Sequence, residues 1–233
     1  MIKLVRSVTA LGAVLITVMG FDALAATKTL EYTVLRDGSP IGTHAYTIET
    51  NGTDTNVAVT TDIKVKALFI TVYKFIHESQ EKWQNGQLVS LKSTTDDDGT
   101  PKSLQASAEN GKITLDATIN KQERRQFAPS ASIPASLWNP ALVTQGTVLK
   151  TAKGAAIKTL ESQIVNTLDG QLMKVKIADL GNEEVEAQGT KVSANHYQIT
   201  GELTRDLWYN SDGDLVRVSF PDKTETSIVY SLN

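Results

Sequence analysis

An all-β fold, a strongly curved antiparallel meander forming a half-barrel or barrel-like sheet, is predicted by three observations. Seven Asp-Gly or Asn-Gly dipeptides punctuate the chain, at Asp37, Asn51, Asn85, Asp98, Asn110, Asp169 and Asp212. Alternating, β-branched segments run between them, and helical periodicity is scarce. Asn-Gly and Asp-Gly between such segments mark hairpins, because both central residues of a type I′ turn need positive φ.

The first element is a targeting segment. Lys3 and Arg6 precede an apolar run from Leu11 to Phe21, and Ala23-Leu24-Ala25 supplies the small residues a signal peptidase requires. The run is shorter than the roughly 20 residues that span a bilayer, which argues against an anchor. Residues 1–25 are therefore expected to be a cleaved signal peptide, and 26–233 one exported, periplasmic antiparallel β domain. No cysteine is present to carry a lipid at the new N-terminus. Removing Lys3, Arg6 and Asp22 leaves 21 basic and 25 acidic residues, a net charge of −4. Nucleic acid and anionic membrane surfaces call for a basic patch instead. A domain of about 207 residues can hold itself together by its core without disulfides.

The first hairpins test register against face. Val57, Val59, Thr61, Ile63 and Val65 share one side of a strand. A two-residue Asn51-Gly52 turn sets Tyr46 opposite Val57 and His44 opposite Val59, on that side. A two-residue Asp37-Gly38 turn would send Ile41 and Thr43 inward instead, so a three-residue Asp37-Gly38-Ser39 loop, pairing Tyr32 with His44, is predicted.

The next stretch, Thr55 to Gln84, runs thirty residues without Gly or Pro. As one strand it would reach ~100 Å, so it must reverse near Ala67–Thr71, in the sequence KALFITVY. There Leu68, Phe69 and Ile70 replace the usual turn chemistry. They either tuck under the sheet end as a lid or sit at a groove mouth facing a ligand, lipid or partner.

Ser130 to Val143 breaks the pattern. A short helix or plug is predicted near 132–143, capped by Ser132, starting near Pro134 and limited by Pro140. It separates about seven strands from about six. In the last hairpin, a two-residue Asp212-Gly213 loop pairs Tyr209 with Val216, Leu207 with Val218 and Arg205 with Phe220. Tyr197, Ile199, Leu203, Leu207 and Tyr209 then share the core face. His196 and Trp208 lie on the wet face, Trp208 over Arg217 as a cation–π pair.

Site chemistry is sparse. His44, His77 and His196 are the only histidines and lack metal-ligand spacing; the first two can approach if their strands are near. Asp96-Asp97-Asp98-Gly99 lacks the alternation and closing Glu of a calcium loop, and reads as a turn. No nucleophile elbow, P-loop or dinucleotide fingerprint occurs. No metal, cofactor or catalytic residue is expected. The strand faces carry too many charges for the lipid-facing band of a transmembrane barrel.

Four segments together resemble a secreted bacterial family, domain of unknown function 6134: YTVLRDGSPIGTHAYTIE (Tyr32–Glu49), IKVKALFITVYKFIHESQEKWQNGQLVSLKSTTDDDG (Ile63–Gly99), IPASLWNPALV (Ile133–Val143) and YQITGELTRDLWYNSDGDLVRVSF (Tyr197–Phe220). The resemblance implies a secreted, β-rich protein with no known activity, and draws attention to Trp138 and Asn139.

The expected function is non-enzymatic binding of an apolar ligand or lipid in the concavity of the sheet. Phe69, Tyr73, Phe75, Trp138 and Asn139 are the candidate ligand-binding residues. A structural or interaction protein of the cell envelope is the alternative. An envelope hydrolase would require His77 and Glu81 to converge in an open cleft.

Overall fold

The computed structural model describes residues 25–148 and 158–233; residues 1–24 of the expected signal peptide lie outside the described residues. The chain forms β1 (Ala26–Arg36), β2 (Ser39–Asn51), β3 (Asp54–Ala67), β4 (Ile70–Gln84), β5 (Gln87–Asp97), β6 (Thr100–Glu109), β7 (Lys112–Ile119) and β8 (Gln122–Pro129). A break follows, with β9 (Ile133–Pro134), the single-turn α1 (Ala141–Thr144) and β10 (Thr147–Val148). The chain then resumes as β11 (Lys158–Val165), β12 (Leu172–Ala187), β13 (Thr190–Gly201), β14 (Arg205–Tyr209), β15 (Leu215–Pro221) and β16 (Ser227–Leu232).

One large antiparallel sheet results. Its order runs from β10 through β11–β16, crosses to β1, and ends at β8. The crossing is the β1–β16 pair, where Tyr32 faces Leu232. Eight strands precede the break, one more than the turn count predicts, because Asn120-Lys121 makes a turn without glycine; both residues have positive φ. Nothing among the described residues pairs β8 with β10, so the ladder is not closed. The 133–144 segment and the 166–171 loop pack along the concave side instead. Gly170 sits so tightly there that a Cβ would lie 2.8 Å from Leu104.

Four dipeptides, Asp37-Gly38, Asn85-Gly86, Asp98-Gly99 and Asn110-Gly111, have positive φ at both positions, as type I′ turns require. The other expectations shift in register. Tyr32 does pair with His44, but through a two-residue Asp37-Gly38 turn with a bulge at Ile41, not a three-residue loop. The next turn is Gly52-Thr53, with positive φ at Gly52 alone, the type II′ pattern. Tyr46 therefore faces Val59 and His44 faces Thr61, two residues from the predicted partners but on the same face. Leu207 pairs with Val218 and Trp208 with Arg217 as expected, but a bulge at Val216 sets Tyr209 against Leu215. Trp208 is buried: its ring stacks on His196 at 4.3 Å and its Nε1 donates to Glu183 at 2.6 Å. The Arg217 guanidinium lies 5.7 Å from its ring centroid.

Two expectations about the plug are corrected. Ser132 does not cap a helix at Pro134; Ile133-Pro134 instead pairs in parallel with β11. Pro140 begins α1 rather than ending it, since its fixed φ and missing N–H suit a helix start.

The thirty-residue run reverses at Leu68-Phe69. Pairing to β2 ends at Ile63 and pairing to β5 at Phe75, so 64–74 stand out as a two-stranded ribbon. Leu68 and Phe69 are 93% and 100% exposed, so they do not form a core lid. Leu68 also has φ 57°, where a Cβ is disfavoured. Leu68→Gly should raise stability in urea by ~0.5–1 kcal/mol, because relief of left-handed strain exceeds the loss of chain stiffness. A destabilised variant would show that Leu68 packs in solution.

Candidate functional site

The inward residues of β4 are His77, Ser79, Glu81 and Trp83, and all are buried. A strand lining an interior normally offers apolar side chains there, so this polar row needs partners. His77 extends a second row across the sheet: His44 faces Thr61, Thr61 faces His77, and His77 faces Thr95. Each histidine Nδ1 bonds the neighbouring threonine hydroxyl, at 2.7 Å for His44–Thr61 and 2.8 Å for His77–Thr95. Burial pushes the His44 imidazole down to about 3, helped by His77, and burial pushes His77 down to about 4. Both are neutral at physiological pH.

Glu81 anchors the plug. Its Oε2 accepts the indole N–H of Trp83 at 2.8 Å and of Trp138 at 2.9 Å, and the rings meet edge to face at 5.6 Å. Burial raises the carboxyl above its ordinary value of 4.5, opposed by Trp138, Ser136 and Trp83. Ser136 acts without full hydrogen-bond geometry, since its Oγ and Glu81 Oε1 are both without a partner. The plug is also held by its backbone. Tyr46 on β2 donates to the Ser136 carbonyl at 2.6 Å, and Tyr209 on β14 donates to that of Leu137 at 2.7 Å. These bonds, from strands separated in the sheet order by β15, β16 and β1, flank Leu137, whose φ of 70° is costly for a residue with a Cβ.

Between plug and wall lies a cavity of about 250 Å³. Its walls carry His44, Thr61, His77, Ser136, Arg205 and Tyr230 on the polar side. Phe75, Leu137, Leu168, Met173, Leu203, Val218 and Phe220 supply apolar surface. Four buried side-chain atoms among the described residues lack a hydrogen-bond partner: His44 Nε2, Ser79 Oγ, Glu81 Oε1 and Ser136 Oγ. All belong to the wall strands β2 and β4 or to the plug that covers them.

The five residues singled out from sequence are not brought together. Phe75 lines the cavity. Trp138 lies beside it, bound to Glu81. Asn139 accepts the Ala141 N–H at 3.0 Å and so caps α1. Tyr73 donates to Asp97 at 2.9 Å, with burial and that bond raising its phenol pKa. Phe69 is at the ribbon tip, away from the cavity. Sequence reasoning did not single out Arg205 or Ser136 as site residues, and for neither does the sequence carry a motif. His77 and Glu81 share a face, His77 bonding to Thr95 and Glu81 to the two indoles. No cluster of three metal-ligating side chains occurs among the described residues. No helix among them is long and apolar enough to cross a membrane.

The family described as Domain of unknown function (DUF6134) matches residues 32–161 and 156–233. The chain belongs to it. No curated protein matches this DUF6134 chain. The crystal structure of a beta-barrel-like protein of domain of unknown function DUF1849 from Brucella abortus is similar, with a TM-score of 0.53. It is 11% identical, and the match covers 89% of this chain and 95% of that one. At that identity the likeness concerns the fold alone.

Two indole donors favour the Glu81 carboxylate, yet burial wins and favours the neutral acid. A folded pKa raised above the unfolded value contributes stability fully below pH ~4.5 and loses it as pH rises through the folded pKa. Relative to wild type, Glu81→Gln should therefore gain stability as pH rises past ~4.5, by up to ~1.4 kcal/mol per pH unit. Urea midpoints at pH 4–8 check this. His44 and His77 are common to both proteins and cancel in the difference, so a flat difference would contradict it.

Proposed function

We propose that this protein is an exported, periplasmic, non-enzymatic binding protein that holds a small, largely apolar ligand between the concave sheet and its plug. The observation that carries the reading is the cavity at that junction, with His44 Nε2 and Ser136 Oγ buried and unpartnered in its wall. A core optimised for packing alone would fill such a space or satisfy those atoms. The strain at Leu137 fits the same reading, since backbone in costly conformations concentrates at functional sites. Phe75 of the original candidate set, with Leu203, Phe220 and Met173, supplies the apolar contact. At about 250 Å³ the space suits a ligand smaller than drug-sized ones, whose sites span ~300–1,000 Å³.

The protruding ribbon favours a second role, contact with another envelope component. Leu68, Phe69 and Ile70 are 93%, 100% and 70% exposed. Lys64, Lys66 and Lys74 accompany them, Lys64 paired with Asp62 at 2.9 Å and Lys74 with Asp96 at 3.2 Å.

Native mass spectrometry of protein purified from the periplasm should show a co-purifying small molecule, or reversible binding of added apolar compounds. Leu203→Trp should weaken that binding at least about tenfold by filling the cavity. A ligand-free spectrum together with no binding by the folded wild type would overturn the reading.

A further inference from the structure

The cavity wall holds a cation whose donors are largely free. Arg205 at the start of β14 is partly buried in its wall, with its guanidinium carbon 3.6 Å from the centroid of Phe220. Of the five N–H donors of an arginine, one is used, by Nη1 to the Thr204 carbonyl at 2.7 Å. Among the described residues Arg205 has no ion pair, whereas Lys28, Arg36, Lys102 and Arg125 each have a carboxylate partner. Burial lowers its pKa to about 10, which leaves it charged at neutral pH. A cation withdrawn from water without a counter-charge is costly, and an anion beside it would remove that cost.

The next donors follow around the same wall. Phe220 meets Tyr230 at 5.8 Å, and Tyr230 meets His44 at 5.1 Å. The Thr61 hydroxyl has His44 Nδ1 as its hydrogen-bond partner. Where Thr61 donates to that nitrogen, the imidazole proton sits on Nε2, the buried atom without a partner. Ser136 Oγ also lacks a full hydrogen bond, but it lies toward the Glu81 carboxyl.

Several of the acceptors, by contrast, are occupied. The Ser136 carbonyl takes the Tyr46 hydroxyl, the Thr167 carbonyl takes Ser93 at 2.5 Å, and Asn166 Oδ1 takes the Leu168 N–H at 2.9 Å. Glu202 also lines the cavity, but its Oε2 receives the Lys174 N–H at 2.6 Å and makes no ion pair with Arg205.

From this unpaired guanidinium we infer that the ligand is a short amphiphile with an oxyanion head, a carboxylate or a phosphate, received by Arg205, its apolar body lying against Phe75, Leu203 and Met173; this rests on the cavity being a ligand site. The planar guanidinium fork fits the two oxygens of either head. The stack on Phe220 holds that fork in place before the ligand arrives.

Four probes with one body and different heads test it: hexanoate, hexyl phosphate, hexan-1-ol and hexylamine, titrated at pH 7 into the purified protein by NMR. At least one oxyanion should bind about tenfold or more tighter than hexan-1-ol, with hexylamine weakest. The ranking of hexanoate against hexyl phosphate identifies the head. Arg205→Gln should bring the oxyanions to the hexan-1-ol level while leaving hexan-1-ol binding within about twofold, which also reports an intact fold. Arg205→Lys keeps the charge without the fork and should show an intermediate preference; it decides the matter if Arg205→Gln does not fold. Equal binding of hexanoate, hexyl phosphate and hexan-1-ol would overturn the head-group inference and leave the cavity reading standing. A preference surviving in Arg205→Gln would overturn the role of Arg205. Binding of none of the four would overturn both readings.

Discussion

The Glu81 carboxyl, shared by two indoles, is the interaction on which this architecture turns. A sheet whose ladder does not close has an interior that something else must fill. Here the filling is a segment with little regular structure, whose backbone, among the described residues, pairs with the sheet only at Ile133-Pro134 and Ala135. Trp138 inserts its ring against Trp83 and gives its N–H to the same Glu81 oxygen that Trp83 uses. Without the carboxyl, both buried indole N–H groups would lose their acceptor, at a cost of ~1–3 kcal/mol each. Without Trp138, a buried carboxyl would keep one donor and face the apolar core.

The remaining fastenings act on the position this contact sets. Tyr46 and Tyr209 reach the plug from β2 and β14, strands separated in the sheet order by β1, β16 and β15. The segment therefore ties two walls of the curve. Side-chain bonds are fewer and less uniform than a ladder, and they leave space. The cavity is that space, bounded by the His–Thr row on one wall and by Arg205, Phe220 and Tyr230 on the other.

Much of the sheet was legible in the sequence because its turns announce themselves. Asp37-Gly38 and three further dipeptides take the left-handed pair of conformations that Asn, Asp and Gly tolerate. What fails is finer than the dipeptide. Asn51-Gly52 has the same composition, yet glycine takes the first central place and the register moves by two. Bulges at Ile41 and Val216 carry no sequence mark and absorb one residue each. Pro140 reads equally as a stop or a start, and the neighbouring backbone decides. The site was the least legible part. Alternation places His77, Ser79 and Glu81 on one face, but nothing local brings in Trp138, 57 residues away, or Arg205. Phe69 drew attention as an apolar turn residue, and that anomaly is real; its ribbon outruns β2 and β5 and so carries it away from the interior.

A double-mutant cycle tests the central claim most directly. Glu81→Met, Trp138→Phe and the double variant, compared with wild type by urea unfolding at pH 7, give the coupling between strand and plug. A coupling energy of ~1–3 kcal/mol is the expected result, because either substitution alone strands the partner of the other. Effects that add to within ~0.5 kcal/mol would show that the two side chains act independently, and that the plug is held by something other than this carboxyl.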